Sequence, residues 1–295
     1  MTLAAHAAAP AAAPRRRYSS QKRAQRVGRI VSYIVLSIGA VFMLAPFVWM
    51  VATSLKPTGE VFKYPPELIG STIEWKNYLD VLTGSTFLRQ LWNTVFISVV
   101  TLVGTLVTST MAGFAFSWMF RFPGKDALFI LVLVSIMVPY HVLLVPTFAL
   151  LRTMGLLDTP WAIILPMVIS PFGIFLMRQF FIGVPKELAE AAKLDGCNPW
   201  GIFWRIFLPL SKPALTTLAI FTFVGTWNDF LRPLIFLSSN EQQTLTLGIY
   251  AAQGIFATDW PVLMATVALS LLPVVIMFLA MQDLFVKGVA LTGLK

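Results

Sequence analysis

Apolar residues in this chain come in runs too long for a soluble helix, separated by short polar segments. A helix that crosses a membrane needs about 20 mostly apolar residues. Six stretches reach that length: residues 30–54, 91–119, 128–150, 161–181, 214–237 and 262–284. The pattern predicts an all-α integral membrane protein with six transmembrane helices, because a lipid-solvated backbone must satisfy its own hydrogen bonds. The runs carry internal punctuation. In the second, Gly104, Thr108 and Ala112 recur four apart beside Thr105, Ser109 and Gly113. Such rows let helices approach closely, within the bundle or against a partner. Pro139, Pro146, Pro166 and Pro171 interrupt the third and fourth runs. They are read either as simple kinks or as breaks lining a water-filled path.

The segment between the fourth and fifth runs, ELAEAAKLDGCNPWGIFWRIFLPL (residues 187–210), is different. Pro185 suits the start of a helix, Glu187 and Glu190 sit where the helix dipole favours acid, and Gly196 suits its end. A helix over 185–195 is roughly 16 Å long at 1.5 Å per residue and cannot cross a bilayer. Leu188, Ala191, Ala192 and Asp195 fall on one face by 3–4 spacing, and the alanines make it low enough for another protein to dock. Asn198 caps a second, aromatic segment, with Pro199 at its first position and Trp200 and Trp204 near headgroup level.

Composition agrees with lipid as the solvent. Of 295 residues, 57% are hydrophobic and 12% charged, where soluble domains carry about 25% charged residues. The net charge of +9 does not call for nucleic acid once its placement is considered. With the N-terminus inside, six of the 22 Lys and Arg fall outside (Lys56, Lys63, Lys76, Arg89, Arg152 and Arg232) and the rest fall inside. That bias predicts cytoplasmic N- and C-termini in a multi-pass protein of the cytoplasmic membrane. Residues 1–28, Ala/Pro-rich and then basic, are expected to be a disordered cytoplasmic tail, leaving 29–295 as the six-span domain. Cys197 is the single cysteine, and His6 and His141 are too few and too far apart for a metal site. A GxxxxGK[ST] phosphate loop is absent, since Gly124 and Lys125 are followed by Asp126, so ATP hydrolysis would need a partner.

Glu190, Ala191 and Ala192, three residues, Gly196, nine residues, then Ile206, Phe207, Leu208 and Pro209 resemble at full spacing the EAA motif of permease subunits in ABC importers. The stretch WNDFLRPLIFL (227–237), LTLGIY after it and the ending DLFVKGVALTGLK resemble the smaller permease of carbohydrate-uptake importers of the maltose and glycerol-phosphate type. The resemblance covers about residues 29–295. It implies a type I ABC importer permease (MetI-like) fold whose loop 184–212 is a cytoplasmic coupling helix. Glu190, Ala191, Ala192, Asp195, Gly196, Ile206, Leu208 and Pro209 would make the contact with the ATPase. It also implies a second, different permease, two ATPase subunits that bind ATP and Mg, an extracytoplasmic solute-binding protein, and no cofactor or catalysis in this chain. Two other function classes stay open: an ion-coupled secondary transporter, against which stand the few intramembrane carboxylates, and a non-transporting scaffold. Importers of amino acids or peptides share the EAA loop.

The fifth run carries Asp229 about fifteen residues from its inner start, roughly 22 Å at 1.5 Å per residue. A charge at that depth should face the bundle or water, and Arg232, three residues on, can pair with it. The residues support two readings. One is a structural ion pair closing the span. The other is an outer mouth lined by Trp227, Asn228, Asp229 and Phe230, where aromatic rings stack on a sugar and Asn228 meets its hydroxyls.

Overall fold

The computed structural model describes residues 17–84, 86–253 and 258–292, and in these it is helical throughout, with no strand. It divides into two compact units, residues 1–52 and 53–295, each described by itself. The first described element is α1, Arg17–Ser54, apolar on every face through its middle. Of the expected tail, residues 1–16 lie outside the described residues, and 17–28 are the first turns of α1. The good helix formers at residues 21–26, with no proline between Arg17 and Arg26, account for this earlier start.

In the second unit a loop precedes α2 (Lys76–Thr83). Glu60 folds this loop on itself by accepting from the Ser71 hydroxyl and from its amide at 2.8 Å. The two bonds, the hydroxyl's first, hold its pKa below the usual carboxylate value. Asn77 ties the loop back by donating to the carbonyls of Ser54 at 2.9 Å and Lys56 at 3.2 Å.

The axis of the unit is α3, Phe87–Ala115, packed on four later helices: α6 (Trp161–Val168), α7 (Pro171–Ile182), α11 (Lys212–Trp227) and α13 (Leu245–Ala251). Its small residues face inward. A methyl on Gly113 would stand 2.7 Å from Met177 Cβ, and one on Gly104 2.9 Å from Val168. The small-residue row is thus used for packing inside the bundle. At its end α3 meets two cations. Arg178 Nε donates to the Phe116 carbonyl at 3.0 Å, and Lys125 Nζ donates to the carbonyls of Ser117 and Phe120. Cations there offset the negative end of the helix dipole and satisfy its last acceptors.

Two of the four prolines, Pro139 and Pro171, stand at helix breaks, whereas Pro146 and Pro166 stay inside helices. α4 (Lys125–Met137) and α5 (Tyr140–Thr153) bend by 104°, where the expectation was one span over 128–150 that Pro139 and Pro146 kink or break. Val138 is extended, as a residue before proline prefers. α6 and α7 part at Ile169 and Ser170, also extended, and the Ser170 hydroxyl caps α7 by accepting from Gly173 N at 3.1 Å. The freed carbonyls of Met167 and Val168 accept from Thr105 Oγ1 at 3.1 Å and Thr108 Oγ1 at 2.6 Å, which is how a neighbouring helix makes a break tolerable in lipid. The fifth run also departs from expectation. α11 stops at Trp227, and α12 (Leu231–Phe236) follows after a break at Asn228, Asp229 and Phe230. The last described element is α14, Trp260–Thr292. Among the described residues four helices are long and apolar enough to cross a membrane, or up to six if each bent pair counts as one span.

Candidate functional site

The EAA stretch folds as a hairpin of short helices. α8 runs Lys186–Leu194 with Pro185 at its N-cap. It ends at Gly196, which takes φ +81° and lets two amides turn back: Gly196 N to Lys193 O at 3.0 Å and Cys197 N to Ala192 O at 2.9 Å. This is the Schellman closure that glycine permits without steric cost. Asn198 then caps α9 (Pro199–Ile202), its side chain accepting from Gly201 N at 2.7 Å. A π-helical turn, Phe203–Phe207, and a last turn, α10 (Leu208–Leu210), lead into α11.

The hairpin is anchored by rings. Phe114 of α3 lies 6.1 Å from Phe181 of α7, 5.1 Å from Phe203 and 4.9 Å from Phe207. Ala189 and Ala192 of α8, and Ala214 and Leu218 of α11, are buried in the same cluster, with Ile206 and Leu208 packed at its edge. This divides the expected docking face. Ala192, 8% exposed, points into the protein's own core. Leu188, Glu190, Ala191, Leu194 and Asp195 are exposed, Leu194 at 90%. Glycine at 196 stays exposed, as does Pro209. Two positions taken for one surface in the sequence therefore differ, because α8 is held from beneath at Ala189 and Ala192.

The mouth residues at 227–230 are not gathered into one lining. Trp227 is buried and stacked on Phe223, centroids 5.3 Å apart. Asn228 is exposed, and its Nδ2 donates to Val224 O at 3.0 Å. Phe230 meets Tyr250 edge-on at 5.1 Å. Asp229 is buried and pairs with Arg232 at 2.7 Å. Trp227 therefore cannot offer a face to a solute, and Asp229 takes the ion-pair role.

A cleft of about 400 Å³ opens instead where the breaks converge. Its wall includes Ser135 and Tyr140 at the α4–α5 bend, Ser170 at the α6–α7 break, Phe221 and Thr222 of α11, and Arg232 of α12. The Arg232 guanidinium lies 4.3 Å from the Tyr140 ring centroid, within cation–π range. The prolines signalled this cleft in the sequence, since Pro166 and Pro171 line it and Pro139 precedes Tyr140. The hydroxyls and Arg232 had no motif to mark them as one site.

At the far end from α8, Asp158 fastens two loops. Its carboxylate accepts from the amides of Ser239 at 2.9 Å and Ser238 at 2.8 Å, and from the Ser239 hydroxyl at 3.1 Å. These bonds, the Ser239 amide's first, hold its pKa below the usual carboxylate value. Asn93 of α3 donates to the Glu241 and Gln243 carbonyls at 2.8 and 3.0 Å and secures the same loop.

Residues 104–291 match the family described as "Binding-protein-dependent transport system inner membrane component". The arabinooligosaccharides transport system permease protein AraQ of Halalkalibacterium halodurans is 34% identical over 278 residues, covering 92% of this chain and 99% of its own length. The lactose transport system permease protein LacG of Rhizobium radiobacter is 34% identical, with 90% and 96% covered. The sn-glycerol-3-phosphate transport system permease protein UgpE of Rhizobium meliloti is 30% identical, with 90% and 97% covered. A chain in the crystal structure of a bacterial ABC transporter involved in the import of the acidic polysaccharide alginate superposes with a TM-score of 0.79 at 25% identity, covering 88% of this chain and 97% of that one. A chain of the alginate transporter in complex with a pentasaccharide-bound periplasmic protein gives a TM-score of 0.63 at 15% identity.

Proposed function

Because the chain belongs to the family of binding-protein-dependent transport system inner membrane components, we infer that it is a permease subunit of an ATP-driven importer for a sugar or a related polyol or glycerol phosphate. Relatives named for arabinooligosaccharide, lactose and glycerol-phosphate transport support that substrate range. The fold is of the type I importer permease (MetI-like) kind, in a multi-pass inner-membrane protein. In this reading the two bent pairs complete six spans, and both termini are cytoplasmic, as the distribution of Lys and Arg favours. The chain forms one membrane half beside a second, different permease. Two ATPase subunits bind and hydrolyse ATP with Mg, and a solute-binding protein delivers the cargo from outside.

The anchored hairpin is the observation that carries the mechanism. The exposed face of α8, with Leu188, Ala191 and Leu194, docks into a cleft on an ATPase subunit. When ATP closes the ATPase dimer, α8 is pushed, and the ring cluster of Phe114, Phe181, Phe203 and Phe207 passes the displacement to α3, α7 and α11. A close-packed cluster moves as a body rather than absorbing the motion. The spans then alternate between outward-open and inward-open states, and each ligand biases the state it binds better. An ion-coupled carrier is a poorer fit, since the carboxylate of Asp229 is already committed to Arg232.

The test is reconstitution of the complex encoded with this chain into liposomes, with a panel of neutral sugars, acidic sugars and glycerol phosphate. Solute-loaded binding protein should stimulate ATP hydrolysis, and ATP should drive uptake. Uptake that persists without ATP and collapses with an ionophore would overturn the importer reading. Stimulation by amino acids alone would overturn the carbohydrate assignment.

A further inference from the structure

The cleft of about 400 Å³ is lined by side chains from α3, both halves of two broken spans, α11 and α12. Its α11 wall runs from Leu218 to Gly225, roughly 9 to 20 Å along the helix from Lys212 at 1.5 Å per residue. In a hydrocarbon core about 30 Å thick this is the middle of the membrane. A mixed polar cleft at that depth is too costly to face lipid, so it faces water or protein. Among the described residues that line it, Arg232 alone carries a side chain charged at neutral pH. The partner carboxylate of Asp229 is turned out of the cleft. It is 5% exposed and is spent on the Arg232 guanidinium at 2.7 Å and the Arg232 amide at 3.4 Å. The cleft therefore meets a solute with guanidinium N–H donors and hydroxyls while the pair keeps the local charge near zero.

We propose that this cleft is a solute subsite belonging to this chain, that it takes one ring of an uncharged sugar or polyol, and that the Asp229–Arg232 pair sets this charge preference. The proposal rests on the importer reading above. A guanidinium has five N–H donors, and those left over from Asp229 suit hydroxyl oxygens. Thr222 adds a hydroxyl that both donates and accepts, and Ser135, whose hydrogen goes to the Leu131 carbonyl at 2.8 Å, adds an acceptor, as a hydroxyl-rich solute requires. Phe172 and Phe221, edge-to-face at 6.0 Å and both exposed on the wall, offer apolar surface to the C–H face of a ring. A volume of about 400 Å³ lies at the low end of the roughly 300–1,000 Å³ typical of ligand pockets, which favours a single ring over an oligosaccharide. Asp229 acts here through Arg232 and is a positioning residue.

The experiment is ATP-driven uptake by the reconstituted complex, comparing lactose and arabinobiose with galacturonate and sn-glycerol 3-phosphate. Wild type should prefer the neutral pair. Asp229→Asn unmasks the Arg232 charge and should raise the anionic-to-neutral uptake ratio by about tenfold or more, as one uncompensated charge several ångströms from an anion does at moderate dielectric. Thr222→Val leaves the ion pair intact and should raise the half-saturating concentration of the neutral sugar several-fold with Tm unchanged. If Asp229→Asn fails to assemble, the Thr222→Val result decides alone. An unchanged ratio in a stable Asp229→Asn complex, an unchanged half-saturation in Thr222→Val, or a wild-type preference for the anionic solutes overturns the subsite. Wild-type complex with no ATP-dependent uptake of any solute overturns the importer reading itself.

Discussion

Ala191 and Ala192 are neighbours with opposite surroundings, and the difference gives a paired prediction. Ala192 lies against the hairpin's own core, so Ala192→Trp overpacks it at about 1–3 kcal/mol and should lower the Tm of the purified complex. Ala191 is exposed, so Ala191→Trp should leave Tm in place while abolishing solute-stimulated ATP hydrolysis. The reverse pattern, or full uptake by Ala191→Trp, would sink docking through this face. Asp158 makes a second case. Its pKa is depressed in the folded chain, so the stabilisation is fully present above the unfolded value of about 3.9 and is lost as pH falls through the folded value. Amide exchange at Ser238 and Ser239 should be slow at neutral pH and rise beyond its intrinsic trend below about pH 4. Asp158→Asn should abolish that step. Protection that ignores pH in the wild type would detach these amides from the carboxylate. Neither the inward turn of Ala192 nor the clamp of Asp158 could be read from the sequence. The first depends on what lies beneath α8, and the second joins loops 80 residues apart.

At the scale of elements, helix ends and breaks were the legible part. Gly196 closes α8 and Asn198 with Pro199 opens α9 as their conformational preferences require. Pro139 and Pro171 marked where runs would be interrupted, while Pro146 and Pro166 did not, and none marked by how much, because a bend of 104° is set by what the two halves pack against. The fifth run was read as one helix because hydropathy does not register the stop at Asn228. Satisfying a break, by contrast, is a tertiary matter. Thr105 is buried and donates to the Met167 carbonyl, so Thr105→Val keeps the shape and orphans an acceptor. The expected cost is about 1–3 kcal/mol, seen as a lower Tm. Thr105→Ser keeps the hydroxyl and should fall well short of that loss. Equal losses for the two would mean that packing of the methyl, and not the hydrogen bond, holds α6 and α7 to α3.

At the scale of the whole second unit, two ends differ in chemistry. One end gathers the hairpin, the ring cluster and two cations, Arg178 on the C-cap carbonyl of α3 and Lys125 on the carbonyls of Ser117 and Phe120 just beyond it. The other gathers loop clamps made by side-chain amides and a carboxylate, Asn93 and Asp158 on the 238–243 loop and Asn77 on the loop after Ser54. The Lys and Arg distribution predicts which of these two ends faces the cytoplasm, and labelling tests that expectation. Lys193 on α8 and Lys76 at the start of α2 are both exposed, and the charge distribution predicts the first inside and the second outside. In a Cys197→Ala background, Lys193→Cys should react with a membrane-impermeant maleimide only in inside-out vesicles, and Lys76→Cys only in right-side-out vesicles. The arrangement also demands an odd number of crossings between the two positions. The structure supplies α3, the bent α4–α5 pair and the broken α6–α7 pair. Three crossings require that the 104° bend of α4–α5 still carries the chain across. If that pair instead enters and leaves on one side, the crossings fall to two, and both cysteines label from the same side. The labelling pattern therefore tests the bent span and the charge-based orientation in one measurement.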